Sequence, residues 1–176
     1  MSDLVVALAE RVLKKATAAG VKLATAESCT AGRLSTLLAD APGGGEQFHG
    51  GFVTYTKENK IATLGVPREL IAAHTAVSRP VAEAMATRAL DRCPAEMVIA
   101  ITGVAGPEPD EDGNSVGLMN VAIAVRGRGT WHRSQTCRAD GRDDTRARSI
   151  YAALELADEM LEEMGSSRAG NSDAHE

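Results

Sequence analysis

The sequence predicts an α/β domain of three layers, with helices on both faces of a mixed, mostly parallel central sheet. Three observations predict this class. Helix-like and strand-like segments alternate along the chain, as in proteins that layer helices on a sheet. Residues 97–102 are almost wholly apolar, which is typical of a central strand covered on both faces. The four residues 126–129, Arg-Gly-Arg-Gly, suit a hairpin, so at least one strand pair is antiparallel.

The first predicted element is an amphipathic helix that begins near Leu4 and ends at Gly20. A short strand over residues 21–24 and a second strand over residues 48–56 enclose another helix. The remaining elements are helices over 57–64 and 68–73 and after Ser78, strands over 97–102, 116–125 and 130–137, and a last helix that begins at Asp143. Gly165 is expected to end that last helix.

The length of 176 residues suits one domain with a well-buried core. A hydrophobic fraction of 44% and a charged fraction of 24% are ordinary for a soluble globular protein. We predict a single domain over residues 1–165. Residues 166–176 form a polar segment without apolar periodicity, which predicts a disordered tail.

Charge and cysteine usage disfavour several classes of function. A formal net charge of −5 disfavours nucleic acid and anionic membranes as partners, and no apolar run approaches the roughly 20 residues of a membrane helix. The cysteines Cys29, Cys93 and Cys137 are widely spaced and form no C-x-x-C pair, so we expect no zinc or other metal, no disulfide framework and no cofactor. We predict a cytoplasmic protein.

The segment 25–32, Thr-Ala-Glu-Ser-Cys-Thr-Ala-Gly, lies where a strand gives way to a helix. The first N–H groups of a helix lack internal partners and can hold an anion or an oxyanion. Ser28, Cys29 and Thr30 are possible nucleophiles or hydrogen-bonding groups there, beside Glu27. The alternative is that Ser28 or Thr30 only caps the helix, and the segment taken alone favours capping.

A serine nucleophile needs a base, and none of the four histidines has an evident orienting carboxylate. Lysine is the other candidate, provided that burial or a neighbouring cation lowers its pKa. Lys57 and Lys60 both follow the strand that ends near Tyr55, and their spacing also suits two solvated helix lysines. Tyr55 itself suits core packing or a hydroxyl contact with the serine–lysine pair.

Four motifs in combination resemble the CinA C-terminal domain family: residues 26–32, residues 50–56, residues 101–107 and Val116-Gly117. The resemblance runs from about Val5 to Met164. It implies hydrolysis of the carboxamide of nicotinamide mononucleotide (NMN) to nicotinate mononucleotide and ammonia by a serine–lysine pair. The same motifs leave a catalytically degenerate relative, or a nucleotide- or RNA-binding module, as the alternatives.

Carried over by residue, the resemblance implies Ser28 as the nucleophile, Lys60 as the base and Tyr55 as a catalytic tyrosine. It further implies a substrate site that takes in the following residues: Glu27, Cys29, Thr30, Gly32, Thr102, Gly103, Gly106, Arg142 and Arg146. We expect the small-molecule nucleotide NMN and a second copy of the chain as partners. The chain departs from the family pattern at Ala31, at residues 108–110 and at residues 140–142.

Seven arginines lie between residues 126 and 148, and this cationic stretch suits either a phosphate group or a solvated face. Arg142 and Arg146 are four residues apart at the start of the last predicted helix, so they share a face. That spacing predicts that both recognise the phosphate of the nucleotide.

Overall fold

The computed structural model describes residues 2–138 and 140–172, without the side chains of residues 167–172. Its elements are, in order, α1 (Asp3–Ala19), β1 (Leu23–Glu27), α2 (Arg33–Asp40), α3 (Gly44–Gln47), β2 (Phe48–Val53), α4 (Lys57–Asn59), a π-helical turn (Lys60–Leu64), α5 (Arg68–His74), α6 (Arg79–Leu90), β3 (Met97–Gly103), β4 (Leu118–Val125), β5 (Gly129–Thr136) and α7 (Arg142–Ser172). In this part of the chain no helix combines the length and the apolar character needed to cross a bilayer.

The five strands form one mixed sheet in the order β2-β1-β3-β4-β5. β1 pairs in parallel with β2 and with β3, while β4 is antiparallel to both β3 and β5. β4 is therefore the one strand of this sheet that runs against the others. The predicted fold class is confirmed, including the hairpin between β4 and β5.

Two separate hydrophobic cores lie on the two faces of the sheet. One core packs α1, α2 and α7 against side chains such as Leu23, Ile99 and Ile123. The other packs the π-helical turn, α5 and α6 against Ala24, Val98 and Ala122. Alternate residues of each central strand thus pack into opposite layers, which explains why residues 97–101 are all apolar.

The first helix ends where the sequence predicts, and the last helix does not. Gly20 ends α1 in the left-handed conformation, with φ +62°, as expected. The expected end of the last helix at Gly165 is wrong, because α7 continues to Ser172. Residues 166–172 of the predicted disordered tail are therefore helical, and residues 173–176 lie outside the described residues. Met164 is the last buried apolar residue of the described side chains.

The parallel strands bring their carboxyl ends to one edge of the sheet, where the predicted site segments meet. β1 ends at Glu27, β2 at Val53 and β3 at Gly103. The N–H of Thr54 donates to Glu27 O at 2.8 Å, and the N–H of Ser28 donates to Ile101 O at 2.9 Å. The segments that follow these three strands are consequently held side by side.

Candidate active site

The serine segment is a tight turn between β1 and α2. β1 includes Thr25, Ala26 and Glu27, so the strand lies further along the chain than the predicted residues 21–24. Ser28 follows directly, and its carbonyl accepts the N–H of Ala31 at 3.1 Å. Ala31 and Gly32 both have positive φ, +53° and +88°. Ser28 therefore lies just beyond the end of β1, at the start of this turn, and is only 6% exposed.

Glu27 has a different role from the one predicted. It is fully buried, and its carboxylate accepts hydrogen bonds from the N–H groups of Gly32, Leu34 and Ser35 and from the Ser35 hydroxyl. Glu27 therefore caps α2 from the preceding strand. Neither Ser28 nor Thr30 is the capping residue, and the N–H groups at the start of α2 are not available for a substrate oxyanion.

Lys60 lies against Ser28 in a buried position. Its side chain enters from the π-helical turn and the residue is 1% exposed. Nζ is 2.8 Å from Ser28 Oγ, 3.0 Å from Thr54 O and 3.3 Å from Tyr55 O. Burial lowers the pKa of Lys60 from 10.5 to about 8, because the charged form loses its water. A π-helical turn is an uncommon element that often occurs at functional sites.

Lys57, the other candidate base, points to different partners. Its Nζ is 2.9 Å from Glu111 Oε1 and 2.7 Å from Asp112 Oδ1. The hydrogen bonds to these two carboxylates raise the pKa of Lys57. A lysine with a raised pKa is less often neutral near pH 7 and so less able to accept a proton, which favours Lys60 over Lys57.

Tyr55 contributes its backbone rather than a buried ring. The residue is 55% exposed, so core packing is excluded. Its carbonyl oxygen accepts from Lys60 Nζ, and also from Ser28 Oγ at 3.4 Å. The serine–lysine pair is held by this carbonyl, and Tyr55 also lines the neighbouring cleft.

An open cleft of about 430 Å³ is lined by both members of the serine–lysine pair. Ser28, Cys29 and Lys60 line the cleft together with residues 103–106. Gly103 is required by close approach, because a Cβ at that position would lie 2.9 Å from Leu118 O and 3.1 Å from Cys29 Sγ. Gly106 has a φ of +87°, which also favours glycine. The predicted positions Gly103 and Gly106 are thus part of the cleft.

Three other predicted substrate contacts lie away from the cleft surface. Thr30 is fully buried, and its hydroxyl has no partner among the described residues. Thr102 is also fully buried, and it donates to Ala76 O at 2.8 Å. Gly32 gives its N–H to Glu27. These residues shape the segments around the cleft and do not line it.

Cys29 lines the cleft, and its surroundings favour the protonated thiol. Burial raises the pKa of the Cys29 thiol to about 11. The thiolate is the nucleophilic form of cysteine, so this environment disfavours Cys29 as the nucleophile.

The two predicted arginines reach from α7 to two residues that line the cleft. Arg142 Nε donates to Gly106 O at 2.8 Å, and Arg146 Nε donates to Cys29 O at 2.8 Å. Arg142 is exposed, whereas the side chain of Arg146 is 14% exposed. Their shared face is as predicted, and binding of a phosphate by either stays a prediction.

Some groups at the site act through their backbone and leave no signal in the sequence. The carbonyl of Thr54 holds Lys60, and a carbonyl carries no signal in the residue type. Ser35, which bonds Glu27 Oε1 at 2.6 Å, lies eight residues further on and could have been found as a serine in the first turn of α2. In the described part of the chain, His, Cys, Asp and Glu side chains form no group suited to holding a metal ion.

The chain is similar to known proteins both in sequence and in fold. The family model for the CinA C-terminal domain matches residues 5–161. The chain is 43% identical over 150 residues to a putative competence-damage inducible protein of Symbiobacterium thermophilum, and 44% identical over 146 residues to a CinA-like protein of Mycolicibacterium paratuberculosis. These matches cover 81% of this chain in both cases but only 35% and 34% of the relatives, so the chain spans about a third of their length.

Solved structures resemble the chain over nearly their whole length. A CinA superfamily protein from Klebsiella pneumoniae superposes with a TM-score of 0.86 at 33% identity, covering 90% of this chain and 98% of that protein. A competence or damage-inducible protein from Enterobacter asburiae gives a TM-score of 0.84 at 34% identity, covering 89% and 98%. The three-layer arrangement around the cleft is therefore shared with these proteins.

Proposed function

The chain belongs to the CinA C-terminal domain family, and on that premise we propose that it is an amidohydrolase acting on a linear amide. The substrate we propose is nicotinamide mononucleotide, which is converted to nicotinate mononucleotide and ammonia. The observation that carries this proposal is the 2.8 Å contact between Lys60 Nζ and Ser28 Oγ at an open cleft. A reducing, cytoplasmic location suits its three free thiols.

The three neighbours of Lys60 Nζ suit a neutral amine that acts as a base. A neutral amine has two N–H bonds and one lone pair. The carbonyls of Thr54 and Tyr55 can accept the two N–H bonds, which leaves the lone pair directed at the Ser28 hydroxyl. Because burial lowers the pKa of Lys60 to about 8, this neutral form is far more populated near neutral pH than in an ordinary lysine.

In the proposed reaction Lys60 takes the hydroxyl proton as Ser28 Oγ attacks the amide carbon. The carbonyl oxygen becomes an oxyanion, for which the N–H of Cys29 is the proposed donor because Cys29 lines the cleft. In a planar trans peptide the C=O and the N–H point in opposite directions. The Ser28 carbonyl is tied to the N–H of Ala31, so the direction of the Cys29 N–H is fixed.

The tetrahedral intermediate collapses when its C–N bond breaks and the leaving nitrogen takes the proton from Lys60, so that ammonia departs. An acyl ester on Ser28 remains. Water then attacks this ester and gives a proton to Lys60, and the acid is released as Ser28 Oγ takes that proton back. All proton transfers use one nitrogen, which explains why no second side-chain base is needed.

The decisive experiment measures ammonia release and nicotinate mononucleotide formation by purified protein with NMN, together with a panel of other amides. The proposal expects turnover of NMN by the unaltered chain and none by Ser28→Ala. Hydrolysis of another amide in preference to NMN would support the proposed reaction and contradict NMN as the substrate. Release of ammonia from none of the amides would contradict the proposal and favour a degenerate or nucleotide-binding family member.

A further inference from the structure

We propose that Arg146 is a positioning residue that holds the turn carrying Ser28 in its reactive geometry. This inference rests on the proposed function in one respect, the use of Ser28 as the nucleophile. It assigns Arg146 a task other than binding the phosphate of the substrate. The contact that carries it is the hydrogen bond from Arg146 Nε to Cys29 O at 2.8 Å, which joins residues 117 positions apart.

The turn after Ser28 has a backbone conformation that its residues do not favour. Ala31 has a φ of +53°, in the left-handed region where a side chain costs about 1 kcal/mol or more. Gly32 follows with a φ of +88°, so two consecutive residues are left-handed. Tertiary contacts must therefore maintain the turn, because its local preferences oppose it.

Glu27 and Arg146 supply these contacts at opposite ends of the turn. The buried carboxylate of Glu27 holds the N–H of Gly32 at 3.1 Å. The guanidinium of Arg146 holds the carbonyl of Cys29, the residue directly after the nucleophile. The peptide before Cys29 is fixed by the bond between Ser28 O and the N–H of Ala31, so both peptide planes that flank Cys29 are tethered.

The surroundings of Arg146 suit a tether better than a ligand site. Its side chain is 14% exposed, and Nη1 lies 3.9 Å from Asp143 Oδ1. A carboxylate close to the guanidinium competes with an incoming phosphate. The cleft side of the turn is also closely packed, since Cys29 Sγ lies near the backbone at Gly103. A shift of the Cys29 peptide would therefore displace Ser28 relative to Lys60.

The test compares Arg146→Ala and Arg146→Lys with the unaltered protein, using NMN and the phosphate-free riboside as substrates. A displaced nucleophile can cost about 100-fold in rate. We expect kcat of Arg146→Ala to fall by about this factor with both substrates, while KM stays within about twofold. Free guanidinium should restore part of the activity of Arg146→Ala. Arg148→Ala is the matched control, since Arg148 lies in the same turn of α7 and bonds only Asp144 in the hydrogen bonds and ion pairs of the described residues.

A second substitution tests the strain argument directly. Glycine at position 31 removes the side chain that disfavours the left-handed conformation. Ala31→Gly should therefore recover activity in the Arg146→Ala background and change the unaltered protein much less. Equal effects of Ala31→Gly in both backgrounds would contradict coupling between these positions and overturn the proposal.

The reactivity of Ser28 provides a measure that does not depend on the substrate. The rate at which a small fluorophosphonate labels Ser28 should fall in Arg146→Ala and in the less disruptive Arg146→Lys, in samples whose melting curves show a folded protein. If NMN is not hydrolysed at all but labelling falls, the positioning role stands and the proposed substrate fails. An undiminished labelling rate, or a loss confined to NMN over the riboside, would overturn the positioning role.

Discussion

Lys60 Nζ lies 2.8 Å from Ser28 Oγ, although 32 residues separate the two in the chain. Parallel pairing of β1 with β2 accounts for this contact, because both strands end at the same edge of the sheet. The π-helical turn then directs the lysine inward, whereas Lys57, three residues earlier, reaches Glu111 and Asp112. A buried amine beside a hydroxyl is the arrangement that general base catalysis by lysine requires.

The pH dependence of turnover tests this arrangement. Only the neutral form of Lys60 can accept the serine proton, so kcat/KM should rise with pH through a single ionisation near the lowered pKa of about 8. Lys60→Arg should remove the activity, since guanidinium stays protonated. The measurement is turnover from about pH 6 to about pH 10.

Lys57→Arg is the matched control for that measurement. It keeps a cation beside Glu111 and Asp112 and should leave turnover nearly unchanged. An active Lys60→Arg protein with the unaltered pH profile would exclude Lys60 as the base.

The identity of the nucleophile can be tested by comparing two neighbouring residues. Ser28→Ala should lower kcat on the order of 10⁴-fold or more, because it removes the attacking oxygen. Cys29→Ala should retain most of the activity, since the raised pKa of the Cys29 thiol keeps it protonated. Steady-state kinetics on both variants decide the assignment, and an inactive Cys29→Ala beside an active Ser28→Ala would reverse it.

The layers of the fold could be predicted because they follow from patterns of apolar residues. β3 is buried along almost its whole length, and the hairpin after β4 contains two glycines. The apolar pattern ends the first strand at residue 24, whereas β1 continues to Glu27, because Thr25 and Glu27 are polar and still fully buried. Each finds a partner in Ser35, which sequence pattern alone does not reveal.

The proximity of Ser28 and Lys60 could be expected from the sequence, whereas the backbone contacts around them could not. Ser28 and Lys60 were identified as a pair through the family resemblance, while spacing alone left Lys57 equally open. The carbonyls that hold Lys60 and the cap that Glu27 supplies depend on how segments meet in three dimensions. A carboxylate next to a serine suggests chemistry, but here its hydrogen bonds with α2 make it structural.

Arg142 is the exposed arginine at the start of α7, and a phosphate role for it can be tested by substrate comparison. Its guanidinium bonds Gly106 O through Nε, which leaves its other N–H groups as the donors that a phosphate would use. Arg142→Ala should raise KM for NMN by about tenfold and change KM for the riboside much less. Equal changes in KM with both substrates, measured under the same conditions, would contradict a phosphate contact.

Glu27→Ala should strongly destabilise the protein. It leaves three N–H groups and the Ser35 hydroxyl without their buried acceptor. The loss of unfolding free energy should be about 3 to 5 kcal/mol, as for other broken buried polar networks. Urea denaturation gives the value, and exposed Glu46 provides the control substitution Glu46→Ala, expected to change stability by about 0.5 kcal/mol or less. A loss for Glu27→Ala as small as that of the control would contradict the capping role.

Burial of Lys60 should also make the stability of the protein depend on pH in a defined direction. The pKa of Lys60 is about 8 in the folded protein, below its ordinary value of 10.5 in an unfolded chain. Between these two pH values the unfolded state binds more protons than the folded state, so the free energy of unfolding rises with pH. A lysine pKa lowered from 10.5 to about 8 corresponds to about 3 kcal/mol across this window.

Lys60→Met isolates this contribution, since methionine has a similar length and does not titrate. The free energy of unfolding of the unaltered protein, minus that of Lys60→Met, should increase as the pH rises from about 8 to about 10.5. Below about pH 8 the difference should be constant, because Lys60 is then protonated in both states. Urea titrations of both proteins across this range provide the measurement. A difference that falls with rising pH, or does not change, would mean that the folded protein does not lower the pKa of Lys60. Lys60 would then be protonated near neutral pH and could not act as the base.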